Sequence, residues 1–170
     1  MFKTKTEGGS KEQSVYSEKE LYHIGDKIQN ILEKEFEEYT VEAKPFFDKL
    51  IVNVGTKFFE ISDVVASAIQ DAYQFNDDFK EEYDDMSEDE AEKYFDEAYA
   101  EQLQEINEEN AVYVNKVVDT PKYTVEFHPL ECDGDYCIAG LQAEITFKRR
   151  VNDEDIRNIA ELIAETFRNN

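Results

Sequence analysis

Tyr39-Thr40-Val41-Glu42-Ala43-Lys44-Pro45-Phe46 is the stretch in which the hydrophobic period of the chain changes from helical to alternating. Upstream of it Leu21, Ile24, Ile28, Ile31, Leu32 and Phe36 recur at helical spacing, which predicts one amphipathic helix over 17–37. Ser17-Glu18-Lys19-Glu20 opens that helix as a capping box, with Tyr16 and Leu21 placed as a hydrophobic staple. Gly25 weakens the helix from within and leaves room for another element to come close. In 39–46 itself, Tyr39, Val41 and Ala43 alternate with Thr40, Glu42 and Lys44, the pattern of a half-buried strand ending near Pro45.

Downstream, Leu50–Val54 reads as a second strand, and Gly55-Thr56 as a turn into a third at Lys57–Ile61. Ser62 or Asp63 then caps a helix with Val65, Ala68, Ile69, Ala72 and Tyr73 on its buried face. A second capping box, Ser87-Glu88-Asp89-Glu90, starts a helix over 87–109 whose apolar stripe is Ala91, Tyr94, Phe95, Ala98, Tyr99, Leu103 and Ile106. Strand-like segments follow at 111–118 and 123–130, then a hairpin signal at Asp133-Gly134-Asp135. Past the turn, Leu141, Ala143, Ile145 and Phe147 alternate with polar residues. Asn152 caps a last helix with Asp153, Glu154 and Asp155 in its first turn, where the dipole favours them. Its core face is Ile156, Ile159, Ala160, Ile163, Ala164 and Phe167.

Helices and strands in runs, rather than strictly interleaved, predict an α+β fold, with antiparallel strands covered by about four amphipathic helices. Residues 1–15, rich in Lys, Gly, Ser and Glu without periodicity, read as a disordered tail, and 16–170 as a single domain. Tyr39–Phe46 also lines up with Tyr123-Thr124-Val125-Glu126-Phe127-His128-Pro129-Leu130, 84 residues on. Two readings stay open: an internal duplication of αββα-like halves, 16–80 and 87–170, or good strand composition recurring by chance.

Charge decides the class of partner. Residues 77–109 hold sixteen carboxylates against Lys80 and Lys93, a net of −14 out of −23 for the whole chain. Such a field repels nucleic acid and anionic lipid and attracts basic surfaces. Within the 87–109 helix, Glu88, Glu92 and Asp96 sit four apart, as do Glu97, Glu101, Glu105 and Glu109. These like-charge ladders forgo the few tenths of a kcal/mol that Glu–Lys pairs at the same spacing supply. A four-residue step advances about 6 Å along a helix, comparable with successive phosphates on a nucleic-acid strand.

The expected partner-binding residues are Asp77, Asp78, Glu81, Glu82, Asp84 and Asp85, in a loop at 77–85, with Glu88, Glu92, Asp96, Glu97, Glu101 and Glu105 on the helix. Tyr83, Tyr94 and Tyr99 lie among them, and any that is exposed is a natural interface anchor.

No complete catalytic motif is present. His23 and His128 are the only histidines, and a structural role is expected for each. Cys132 and Cys137 flank the hairpin signal; two reduced thiols are expected there, a facultative disulfide being the alternative. Glu131, Asp133 and Asp135 alternate like the first ligands of a calcium loop, but the sixth position is Tyr136 and the twelfth Gln142, against Gly and Glu in the EF-hand pattern. There is no phosphate-binding glycine loop. No cofactor or metal, and no enzymatic activity, is expected.

The N-terminus is positively charged without an apolar stretch behind it, and no apolar run reaches membrane-spanning length. The expectation is therefore a cytoplasmic binding protein, monomeric or homodimeric, with no direct contact to nucleic acid or membrane. It would inhibit or regulate a basic nucleic-acid-binding protein by polyanion mimicry, as phage and mobile-element inhibitors of restriction or CRISPR nucleases do; that likeness is one of composition and size, not of motif. The alternatives are an immunity- or antitoxin-like protein that occludes a basic toxin, and an assembly module whose acidic face is only solvation.

Overall fold

A computed structural model describes residues 15–58 and 60–170. The tail expected over 1–15 thus lies outside the described residues up to position 14. Among the described residues are five helices and one five-stranded antiparallel sheet, an α+β fold. The order is α1 (Glu18–Glu35), β1 (Thr40–Phe46), β2 (Lys49–Gly55), α2 (Ile61–Phe75), α3 (Asp77–Asp84), α4 (Glu88–Asn110), β3 (Lys116–Asp119), β4 (Tyr123–Leu130), β5 (Gly140–Phe147) and α5 (Asp153–Arg168). In space the strands run β1-β2-β5-β4-β3. The two matching octapeptides are therefore β1 and β4, flanking the central β2–β5 pair.

Helices α1 and α5 cover one face of the sheet. Leu21, Ile24, Ile28 and Leu32 of α1 and Ile156, Ile159 and Ile163 of α5 meet Val41, Leu50, Val52, Val54, Val125, Phe127, Leu141 and Ile145 in the main core. Each such side chain stabilises by about 1.5–3 kcal/mol when fully buried. Gly25 makes the close approach that its position suggested: a Cβ there would sit 3.1 Å from Leu50 Cδ1 and 3.3 Å from the Ala43 Cβ. The capping boxes at Ser17 and Asn152 both form. At the β1–β2 tip, Phe46 pairs with Lys49 across a two-residue turn in which Phe47 takes φ 57° and leaves its ring 84% exposed.

Four expectations about local structure are corrected. The third strand expected at 57–61 is absent from the described residues of that range: Thr56 to Phe58 are irregular, and Ile61, fully buried, already belongs to α2. Neither Ser62 nor Asp63 caps α2; the N-cap is Glu60, without a side-chain cap bond, because Asp135 engages Ser62 instead. The strand expected over 111–118 is shorter, Lys116–Asp119, since Val112 turns inward into the core and gives its N–H to the Gly140 carbonyl. The turn after β4 is a wide loop, 131–139, and its left-handed residue is Tyr136 (φ 58°), not Gly134.

The same loop overturns the expectation of reduced thiols. Cys132 and Cys137 approach to 5.3 Å between Cα atoms and form a disulfide, a separation within the range such bonds require.

Candidate functional site: an acidic helical arm

Helices α2, α3 and α4 leave the sheet as an arm with a small core of its own. Ile61, Val65, Ile106, Cys132 and Ala139 are buried in it, with Ile69, Phe95, Ala98, Tyr99 and Leu103 packed around them. The apolar face expected for α2 is only partly covered: Ile61 and Val65 are buried, Ile69, Ala72 and Tyr73 half-buried, and Ala68 exposed.

Two polar clamps fix the arm's base to the β4–β5 loop. Asn107 accepts a hydrogen bond from the Cys132 N–H at 2.6 Å and donates to the Cys132 carbonyl at 2.9 Å. Asp135 accepts from the Ser62 N–H (3.0 Å), the Ser62 hydroxyl (2.5 Å) and the Tyr99 hydroxyl (3.1 Å). The Ser62 bonds hold the Asp135 carboxyl below the usual carboxylate range, and burial together with Asp135 pushes the Tyr99 phenol up. Partners 25 to 73 residues apart in the chain left no sequence signal for either clamp.

The far end is held by aromatic rings. Phe79 and Tyr83 of α3 lie between Tyr73 of α2 and Tyr94 of α4, with centroids 5.6–6.5 Å apart. Tyr73 donates to Asp84 at 2.8 Å, and Lys80 sits over the Tyr73 ring at 5.3 Å while pairing with Asp84 at 3.4 Å. That anchoring explains why 77–85 is not the expected loop. Asn76 caps it by accepting from the Phe79 N–H, Asp77 and Asp78 occupy the first turn, and a short helix results.

All twelve expected partner-binding carboxylates are solvent-exposed: Asp77, Asp78, Glu81, Glu82, Asp84 and Asp85 on or at the end of α3, and Glu88, Glu92, Asp96, Glu97, Glu101 and Glu105 on α4. At 3.6 residues per turn, Glu92 and Asp96 flank one side of the buried stripe. Glu97, Glu101 and Glu105 run along the outer face toward the other side. The acidic set is thus brought together on one arm, in two rows rather than one.

Between α2 and α4 runs a groove of about 220 Å³, floored by Val65, Ala68, Ile69, Ala72, Tyr94 and Ala98, with Glu101 and Glu105 on its rim. Tyr94 is 37% exposed there, while Tyr83 and Tyr99 are half-buried. The groove was not foreseen; the partly uncovered apolar face of α2 is its source.

No group of three or more metal-ligating side chains is gathered among the described residues. In the former calcium-loop candidate, Asp135 is taken by Ser62 and Tyr99, and Glu131 accepts from the Tyr113 hydroxyl at 2.9 Å. No helix of the described residues is long and apolar enough to cross a membrane. No protein-family model, curated protein or solved structure matches this chain.

Proposed function

We propose that this chain is an acidic, non-enzymatic binding protein that blocks or regulates a basic nucleic-acid-handling protein by offering α3 and α4 in place of a nucleic-acid backbone. The observation that carries the reading is the exposure of all twelve carboxylates on a single arm, with Lys80 and Lys93 as the only cations within 77–109. A partner groove that neutralises a row of phosphates meets rows of carboxylates at about the same spacing, and releases its counterions in the same way. The proposed setting is the cytoplasm, with a restriction or CRISPR nuclease opposed by a phage or mobile element as the case nearest in chemistry. Cytoplasmic thiols would reduce the Cys132–Cys137 bridge; the Asn107 and Asp135 clamps hold the loop by bonds that do not depend on it.

A second reading, an immunity- or antitoxin-like occlusion of one basic toxin, draws on the groove. Its apolar floor and half-open Tyr94 suit a protein side chain better than they suit a mimic of bare phosphates.

Capture of basic proteins from lysate on the immobilised chain, with elution by duplex DNA or by salt, tests both. Release of a nucleic-acid-binding protein by both eluents supports the decoy. A specific partner that salt releases and DNA does not supports occlusion. The variant Glu92→Gln, Asp96→Asn, Glu101→Gln, Glu105→Gln should lose the partner under either. Undiminished binding by that variant would leave the acidic face as solvation alone.

A further inference from the structure

The sheet has a second face, away from α1 and α5, on which none of the described helices packs. A cavity of about 380 Å³ opens on it, between β1, β2 and β5. Strand register writes this face as two adjacent rows. One row is Lys44, Ile51, Glu144 and Glu126, continuing to Val117 on β3; the next is Glu42, Asn53, Gln142 and His128. Each row crosses β1, β2, β5 and β4 in that order. Lys44 is exposed; Glu126 and His128 lie 3.5 Å apart within the molecule, with side chains 43% and 41% exposed. Glu144 is already matched by Lys49 at 2.5 Å.

The two rows complement each other position by position: Lys44 with Glu42, Ile51 with Asn53, Glu144 with Gln142, Glu126 with His128. A twofold axis lying between the rows and crossing the strands lays each row of one molecule over the other row of a second. Lys44 then faces Glu42 of the second copy, and Glu126 faces its His128, each contact occurring twice, as an isologous interface requires. No like charges are directly opposed.

A twofold axis along the strands also opposes Lys44 to Glu126, and sets Glu42 against the His128 imidazole. It brings both acidic arms to the same end of the dimer, however, because the arm leaves the sheet beyond Gly55 and packs on the loop between Leu130 and Gly140. With −14 in each arm segment, the strand-crossing axis, which sends the arms to opposite ends, is the favoured one. Under that axis Phe46, 60% exposed, falls over the row that begins with Thr40 and Gly55, where no large side chain obstructs it. Stacked sheets lie about 10 Å apart, a gap that Lys and Glu side chains span from the two sides.

We propose that the open sheet face is a homodimer interface, in which Lys44–Glu42 contacts between two copies set the register. This goes beyond the partner reading and does not depend on it, since the arm stays free.

Sedimentation velocity on the full chain at about 0.15 M salt, over a range of protein concentrations, tests it. A monomer–dimer equilibrium is expected. Lys44→Glu or Glu42→Lys alone should weaken it about tenfold or more, the scale of losing two charge pairs and gaining two repulsions. The double exchange Glu42→Lys with Lys44→Glu should restore it to within about threefold of the parent, because each contact is re-formed with its signs reversed. Recovery in the double variant also shows that the single variants had not merely failed to fold. A chain that stays monomeric at every concentration overturns the proposal and assigns the face to another partner or to solvent. So does a dimer indifferent to the single exchanges, or one that the double exchange does not rescue; the β1 edge or the arm would then be where copies meet.

Discussion

At the scale of single residues, the contacts that tie distant parts of the chain together are polar. Glu20 shows how one side chain serves two of them. It closes the capping box of α1 by accepting from the Ser17 N–H at 3.0 Å, and it accepts from the Arg150 guanidinium at 2.6 Å, where β5 leads into α5. Arg150 first, and then the Ser17 backbone bond, pull the Glu20 carboxyl down to about 2 from its ordinary 4.5. A carboxyl depressed in the folded state stabilises it at pH values above the unfolded pKa, and loses that contribution as pH falls through the folded one. The contribution of Glu20 is therefore complete above about pH 5 and fades between about 4.5 and 2. Glu20→Gln should lower the urea midpoint at pH 7 and make little difference near pH 2. A midpoint difference that is the same at both values would mean that the carboxylate's charge plays no part. The box was legible in Ser17-Glu18-Lys19-Glu20 because capping is local. Arg150, 130 residues away, was not.

At the scale of elements, what the sequence made legible depended on whether a local pattern governed the outcome. Helix α4 appeared within a residue or so of its expected bounds, since the Ser87 box and the apolar stripe both lie inside it. Helix α3 did not, because charge density at 77–85 masked the Asn76 cap and the Phe79–Tyr83–Tyr94 packing that hold it. Strand β3 came out short because Val112 exchanged a place in the ladder for burial in the core.

The like-charge ladders on α4 have a consequence of their own. Glu97, Glu101, Glu105 and Glu109 repel at each four-residue step, as do Glu88, Glu92 and Asp96. Raising salt from about 0.01 M to 0.15 M shortens the screening length from about 30 Å to 8 Å, which weakens that repulsion more than it weakens contacts inside the arm's small core. Thermal melting followed at 222 nm should therefore move to higher temperature as salt rises. A helix held by mixed-sign pairs would move the other way, and such a result would show that the ladders do not strain the arm.

At the scale of the whole molecule, the chain has two cores of unequal size joined through one loop. The main core is closed by α1, α5 and the sheet; among the described residues the arm's core has only Ile61, Val65, Ile106, Cys132 and Ala139 fully within it. The α+β class and its antiparallel sheet could be read from the switch of period at Tyr39 and its return at Tyr123. The division of labour among the helices could not, because a helix that packs on a sheet and one that packs on another helix carry the same apolar spacing. Two helices cover the sheet, and the other three stand apart carrying the charge. An arm with so few buried contacts should open without the sheet opening, in the way that weakly packed units do. Asn107 is one of the two clamps that restrain that opening, since both of its hydrogen bonds to the Cys132 backbone join arm to loop. Asn107→Ala removes both and should cost about 1–3 kcal/mol, felt in the arm alone. In amide exchange, protection across α2 and α4 should fall by about 5- to 150-fold, each 1.4 kcal/mol of lost stability being one factor of ten, while β2, β5 and α5 keep theirs. Equal loss in both regions would mean that the two cores unfold as one. The arm could not then be a separately mobile surface that adjusts to a partner, and its acidic rows would have to meet that partner in the orientation the sheet imposes.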